Sequence, residues 1–330
     1  ADWLEAHPDA VWLDVVRTAA LQRTHFAHRA SLSVADAAGA VEGLRALAED
    51  RAHPALEVAE AADRGRTVFV FPGHGSQWVA MGRTLLDASP VFAKAIAGCD
   101  AALAPHTGWS VTEVLRGTGG PPLDRVDVVQ PVLFAMGVGL TAVWRDLGVE
   151  PDAVVGHSVG ELAAAVVCGA LSLEDGARVV ALRGQAIAAV PTEGAMLWVQ
   201  RPEAEVQARL AQWDGALSIG VVNGPDSAVA TGDAAAIAAL QAALEADGVH
   251  CRRVRIGFAA HSAQMDGAVA ALEADLGTLT PRAATVPFYS SVTGGRIDGT
   301  ALDAAYWLRN VRDPVRFDAV LQTLSASGLR

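Results

Sequence analysis

A serine stands between two glycines in Gly156-His157-Ser158-Val159-Gly160, where the apolar run "DAVV" gives way to the Ala-rich, helix-like stretch "ELAAAVV". Strand, tight turn and helix in that order can turn a serine hydroxyl into a nucleophile. The turn strains the serine and crowds its surroundings, so the residues two before and two after it must be small. It also points a helix N-terminus at any oxyanion formed on an attacked carbonyl. A glycine-rich chain yields the bare pentapeptide by chance often enough that the pattern alone is only suggestive. Its placement between an apolar run and a helix makes Ser158 a candidate nucleophile rather than merely a small residue at a corner.

Such a serine needs a base, most often histidine, and the chain has 9 histidines. His7, His25, His28 and His53 fall in the N-terminal region and read as surface residues. His157 adjoins the nucleophile, but adjacent side chains at an elbow diverge, which gives it a structural role. His261, in "RIGFAAHSAQMD", follows a strand and small residues and is the best-placed base, although spacing alone does not fix it. His74 lies in the loop Gly73-His74-Gly75, which can present a backbone N–H to an oxyanion beside the N–H of Val159. Arg183, in the apolar "RVVALRGQAI", is costly unless paired. Two readings of it stay open: a structural ion pair, or a fork that holds a substrate carboxylate by two parallel hydrogen bonds.

The elements that must carry these residues read as α/β. "TVFVFPGHGSQW" is a buried parallel strand ending at Pro72-Gly73 and feeding a functional loop. Helices follow from about Met81, over "VFAKAIAGCDAALA", and over "VVQPVLFAMGVGLTAVWRDLG" with a start near Pro131 and a stop at Gly148. The strand "DAVVGH", the turn at Ser158 and a helix to about Ala170 come next. From 196 to 255 the texture changes to short strands around helices at 202–212 and 233–247. The resulting order β-α-β-β-α-β is that of a ferredoxin-like unit. "TVPFYSSVTG" then returns as a strand and "DAAYWLRNV" as a helix. Residues 1–65 mix helical stretches such as "VEGLRALAEDRA" with a strand near "HRASLSV", and "AEAADRGR" marks a boundary. The expected domains are therefore 1–65, a larger unit over 66–195 that resumes over 256–330, and the insert at 196–255.

The chain has 330 residues, 52% of them hydrophobic, enough for a sizeable core and against disorder of the whole. With 25 basic and 37 acidic residues its net charge is −12, which argues against a nucleic-acid or anionic-membrane surface. No run reaches the roughly 18–20 uninterrupted apolar residues of a membrane span, and the acidic N-terminus shows no signal peptide. Cys99, Cys168 and Cys251 lack metal-ligand spacing and read as free thiols in a reducing compartment, so a cytoplasmic setting is expected. With no initiating Met, the chain reads as a piece of something longer.

Taken together, these residues resemble the acyltransferase domain of modular type I polyketide synthases, a relative of malonyl-CoA:acyl-carrier-protein transacylases. The resemblance rests on "FVFPGHGSQWVAMG", "RVDVVQPVLFA", "GHSVGELAAAVVCGALSLEDGARVVALRGQ", "VNGPDSAVATG", "AAHSAQMD" and "FYSSVTGG" followed by "YWLRNVRDPVRF", in the family's order and spacing. It implies an α/β-hydrolase-like large subdomain with a parallel sheet, an inserted ferredoxin-like small subdomain, and an N-terminal α/β linker domain, 1–65, that joins a ketosynthase to the acyltransferase. Ser158 would be the acylated nucleophile and His261 its base, oriented by the main-chain carbonyl of Asn310. The N–H groups of His74 and Val159 would form the oxyanion hole, and Arg183 would bind the free carboxylate of a malonyl-type extender unit. The substrate would be a malonyl-type acyl-CoA and the acceptor the phosphopantetheine thiol of an acyl carrier protein. The domain itself would need no metal or cofactor.

Three features depart from the family pattern. His74 stands where the family usually has glutamine, and the chain ends before the family's final strand. The third bears on substrate choice. Phe258-Ala259-Ala260-His261 matches neither the methylmalonyl form Tyr-Ala-Ser-His nor the malonyl form His-Ala-Phe-His. Val159 is malonyl-like, whereas "RVDVVQ", ending at Gln130, is methylmalonyl-like. Volume arbitrates: Ala260 opens space relative to phenylalanine, so a C2-substituted unit, methyl or larger, is expected over plain malonyl. One methylene is worth only ~1–3 kcal/mol in such a pocket. A serine esterase or thioesterase, which usually has an acid supporting its histidine, and a non-catalytic spacer of a synthase are the competing readings.

Overall fold

The computed structural model describes residues 1–61, 65–191 and 193–328. The boundary read at "AEAADRGR" falls partly on 62–64, and the last two residues of "SASGLR" are 329–330; both lie outside the described residues. Contacts divide the chain into two units, Ala1–Gly65 and Arg66–Arg330.

The first unit holds α1 (Asp2–Ala6), α2 (Trp12–Leu21), β1 (His28–Leu32), α3 (Ala37–Ala48) and β2 (Leu56–Glu60). β1 and β2 pair antiparallel, with His28 opposite Glu60 and Leu32 opposite Leu56. Asp36 caps α3 by accepting the Gly39 N–H at 2.8 Å, which satisfies one orphan donor of the first turn.

The second unit opens with β3 (Val68–Phe71), α4 (Arg83–Ala88), α5 (Pro90–Thr107), α6 (Val111–Arg116) and α7 (Val126–Asp146). α7 starts five residues before Pro131, earlier than its sequence predicts. The proline ring removes only the bond to the Asp127 carbonyl near the first turn, and burial of Val128, Val129 and Val132 outweighs that loss. The early start puts Gln130 on the helix. α7 is long and apolar enough to cross a membrane by length and composition, and just over half of that span is buried inside the unit. β4 (Ala153–Gly156), α8 (Gly160–Val167) and α9 (Leu173–Ala188) follow.

Next comes a run of β5 (Gly194–Val199), α10 (Glu203–Leu210), β6 (Leu217–Gly224), β7 (Ser227–Asp233), α11 (Ala234–Ala246) and β8 (Cys251–Arg253). The chain closes with α12 (Asp266–Leu276), β9 (Phe288–Ser290), β10 (Gly295–Ile297), α13 (Ala304–Arg312), β11 (Val315–Arg316) and α14 (Phe317–Ala326).

Two sheets result, in the orders β10-β9-β4-β3 and β11-β6-β7-β5-β8. In the first, β3, β4 and β9 run parallel and β10 is antiparallel, so this sheet is mixed rather than wholly parallel. The unbroken apolar run of β4 has a simple cause. Val154 joins the main core with Phe92, Phe134, Leu162 and Trp307, while Ala153 and Val155 pack on Val320 and Leu324 of α14. The second sheet has antiparallel β5–β8 and also takes β11, parallel to β6, from the stretch expected to belong wholly to the larger unit. One face of this sheet, with Leu197, Val199 and Ile219, shares a core with Ile237, Leu240 and Leu244 of α11. Met196, Val221 and Val229 form a separate cluster on the other face.

Candidate active site

β3 and β4 lie side by side with Phe71 opposite Gly156, so the loops after both strands emerge together. The loop after β4 is the sharp turn foreseen. Ser158 has φ of 53°, the left-handed region where a side chain costs roughly 1–3 kcal/mol. The glycines around it are forced. A Cβ at Gly156 would collide with the Glu161 backbone, and one at Gly160 with the Phe71 carbonyl. His261, 103 residues on, also has a positive φ, 59°.

Ser158 Oγ and His261 Nε2 are 2.8 Å apart. His261 Nδ1 lies 2.9 Å from the backbone carbonyl of Asp313. A carbonyl only accepts, so Nδ1 carries the proton and Nε2 is left to accept from the serine hydroxyl. Burial, then the charges of Arg183 and His157, push the His261 pKa down to about 3. The ring is therefore neutral at pH 7, as a proton acceptor must be.

The carbonyl on His261 belongs to Asp313, just past the end of α13, and not to Asn310 as expected. Asn310 instead points its amide at the nucleophile's helix. Nδ2 donates to the Ser158 carbonyl at 3.2 Å and to Glu161 Oε2 at 2.8 Å.

Arg183 on α9 is 3% exposed and makes no ion pair among the described residues. Nη1 donates to Gln130 Oε1 at 2.6 Å and Nη2 to Ser158 Oγ at 3.3 Å, while Nε has no partner. Burial pulls its pKa down to about 10, with the Glu161 charge opposing. A guanidinium so placed can take an anion by charge-assisted hydrogen bonds beside the Ser158 hydroxyl.

His74 packs edge-on to Phe258, with ring centroids 6.0 Å apart. Burial, then Arg183, lowers its pKa to about 4, leaving a neutral ring where glutamine was expected. Neither its N–H nor that of Val159 donates to another backbone group among the described residues. Ser158, His261, His74, Val159, Arg183, Gln130, Phe258 and Ala260 line one cavity of about 510 Å³, and Asn310 does not. The far wall comes from the second sheet through Met196, Trp198, Val221 and Val229. Thr231 Oγ1 donates to the Ala260 carbonyl at 2.8 Å and fixes the segment before His261.

Of the four N-terminal histidines read as surface residues, three are so placed. His7, His25 and His28 are exposed and His53 is half-buried. His157 spans to the second sheet, with Nε2 2.9 Å from Asn223 Oδ1. Sequence reasoning missed Asn223, the Asp313 carbonyl and the wall residues. It also missed Glu161, although a carboxylate inside the apolar "ELAAAVV" was a readable signal. Among the described residues no cluster of three His, Cys, Asp or Glu is placed to hold a metal.

A hydroxyl hydrogen-bonded to a neutral imidazole beside backbone N–H groups is an arrangement that can attack an acyl carbon. The family comparisons specify it further. Residues 68–330 match the model of the acyl transferase domain. The chain is 49% identical over 329 residues to the spectinabilin polyketide synthase system protein NorA of Streptomyces orinoci, spanning 99% of this chain and 17% of that protein. It superposes on the acyltransferase domain from module 8 of the salinomycin polyketide synthase with a TM-score of 0.91 at 45% identity, covering 96% of this chain and 75% of that one. The malonyl CoA-acyl carrier protein transacylase of Coxiella burnetii matches with a TM-score of 0.73 at 25% identity, over 82% of this chain and 86% of its own. The chain belongs to the acyl transferase domain family, among the acyltransferase domains of polyketide synthases, and is an acyltransferase enzyme.

Proposed function

We propose that the chain loads a malonyl-type extender unit from an acyl-CoA onto Ser158 and passes it to the phosphopantetheine thiol of an acyl carrier protein. His261 Nε2 takes the Ser158 proton as Oγ bonds to the thioester carbonyl carbon. The N–H groups of Val159 and His74 hold the oxyanion, and its collapse breaks the C–S bond. The CoA sulfur leaves with the proton from His261. The carrier thiol then attacks the serine ester, His261 taking its proton and returning it to Ser158. No step calls on a metal or cofactor in the domain.

The observation that carries this reading is Arg183, a buried guanidinium with an unpartnered Nε, 3.3 Å from the nucleophile. A free carboxylate on the acyl group would supply its missing counter-charge, which favours the substrate-binding reading over a structural ion pair. Gln130 holds Nη1 and leaves the rest of the fork to the substrate. The small Ala260 beside Phe258, and the apolar wall across the cavity, support a C2-substituted unit, methyl or larger.

We read 1–65 as the linker toward a neighbouring ketosynthase. The β5–β8 run, Gly194–Arg253, supports reading 196–255 as a ferredoxin-like subdomain, and we read 66–195 with 256–330, β11 apart, as an α/β-hydrolase-like large subdomain. The free thiols of Cys99, Cys168 and Cys251 suit a cytoplasmic setting. Competition among malonyl-, methylmalonyl- and ethylmalonyl-CoA, read by adduct mass, tests the substrate class. A dominant methylmalonyl or ethylmalonyl adduct supports the size reading, and a dominant malonyl adduct refutes it.

A further inference from the structure

The reaction above leaves one buried carboxylate unused. Glu161 is fully buried in α8, three residues past the nucleophile. Its Oε2 accepts from the Tyr306 hydroxyl at 2.7 Å and from Asn310 Nδ2 at 2.8 Å, and its Oε1 accepts from the Ser291 N–H. Ser290 Oγ, 2.7 Å from the Tyr306 oxygen, completes the cluster. A carboxylate buried this deeply is costly, and apolar packing of the same volume would stabilise the fold at least as well. Its partners indicate a purpose beyond stability.

Tyr306 and Asn310 sit one turn apart on α13, whose start is fixed by Asp303 capping the Tyr306 N–H at 2.9 Å. Just past the end of that helix, Asp313 presents its carbonyl to His261. On the other side of Asp313, the Arg316 N–H donates to the Ser291 carbonyl at 2.6 Å, and Ser291 is itself a donor to Glu161. The backbone on both flanks of the carbonyl that orients the base is thus tied to one carboxylate. That carboxylate lies on the helix that begins at the nucleophile, and Asn310 also reaches the Ser158 carbonyl.

We propose that Glu161 is a positioning residue, a clasp between α8 and α13 that sets the separation of Ser158 Oγ from His261 Nε2. The inference rests on the reading of Ser158 and His261 as nucleophile and base. Displacing reacting groups by about 1 Å costs on the order of 100-fold in rate, so loosening the clasp is read as a rate effect.

The test uses a fluorophosphonate, which bonds its phosphorus to Ser158 Oγ with loss of fluoride and needs the serine–histidine geometry but no acyl substrate. Modification of wild type, Tyr306→Phe and Glu161→Gln is followed by intact mass to obtain the maximal rate constant, the half-saturating concentration and the final amplitude. The clasp requires that both variants lose about fivefold or more in the rate constant, at unchanged half-saturation and full amplitude. A smaller loss overturns it. So does a loss confined to amplitude that tracks the unfolded fraction seen by circular dichroism, because that is a structural role alone. If Glu161→Gln does not fold, Tyr306→Phe, which removes a single hydroxyl, decides. Malonyl-type CoA loading of wild type runs in parallel. A Ser158 that takes phosphonate but no acyl group sinks the acyl-transfer reading while the phosphonate rates still decide the clasp. A Ser158 inert to both sinks the two together.

Discussion

The two walls of the cavity are built by different rules. On the side of the mixed sheet, backbone constraint places everything. The Cβ-intolerant glycines at 156 and 160, the positive φ of Ser158 and His261, and the adjacency of β3 and β4 leave little freedom. On the side of the second sheet, Met196, Trp198, Val221 and Val229 offer apolar surface, and His157 and Asn223 link the two walls. On the proposed function, changes at Ser158 and His261 should remove chemistry, while changes at the apolar wall should alter which acyl group fits. The contrast separates reactivity from selectivity within one pocket.

The largest effect that would break this division is expected from the chemical wall. His261→Ala should slow acyl loading by about 10³-fold or more, since it removes the base and the imidazole that protonates the leaving thiol. A loss under about tenfold in stopped-flow loading would mean that another group takes the serine proton. Arg183→Ala should weaken loading of dicarboxylic units by about 100-fold while sparing monocarboxylic ones, because only the former use the guanidinium. Equal losses for both classes would make Arg183 structural.

Ala260→Phe narrows the space beside the acyl group and should shift preference from methylmalonyl toward malonyl by about tenfold in competition. An unchanged ratio would move the size filter to Met196 and Trp198. The smallest effect concerns pH. With its pKa near 3, His261 stays neutral well below the usual histidine range and sets no limb between pH 5 and 8. Burial raises Glu161 to about 7 despite the hydrogen bonds that lower it. Arg183 faces it from α9 and Tyr306 from α13, with Arg309 beyond Tyr306. As pH falls through 7, Glu161 gains a proton and its acceptor capacity drops. Loading by wild type should therefore decline about twofold at that point, and Glu161→Gln should be slower at pH 8 but flat down to pH 5. A limb near 6.5 that persists in Glu161→Gln would assign it to a histidine.

What could be read from the chain follows the same division. Steric constraint leaves marks in sequence, so the glycines around Ser158, the strand ahead of His74 and the helix carrying Arg183 were legible. The order of the short strands over 196–255 was legible too, because period-2 patterning and turn residues punctuate it. The antiparallel β10 and the migration of β11 to the second sheet were not, since strands of two or three residues carry no periodicity. The carbonyl on His261 was misassigned to Asn310 because any backbone carbonyl near a helix end serves, and residue type does not mark it. Glu161 was legible in principle, as a charge without an apparent partner inside an apolar helix. Its partners Tyr306 and Asn310 lie about 145 residues away and emerge only with the fold.

The most direct test is the intact mass of the protein after incubation with a malonyl-type CoA thioester in the absence of carrier protein. An acyl adduct that persists on the wild type, is absent from Ser158→Ala, and is discharged by a phosphopantetheine thiol is the result predicted. Rapid release of free acid with no adduct would contradict the account and make the site a hydrolase.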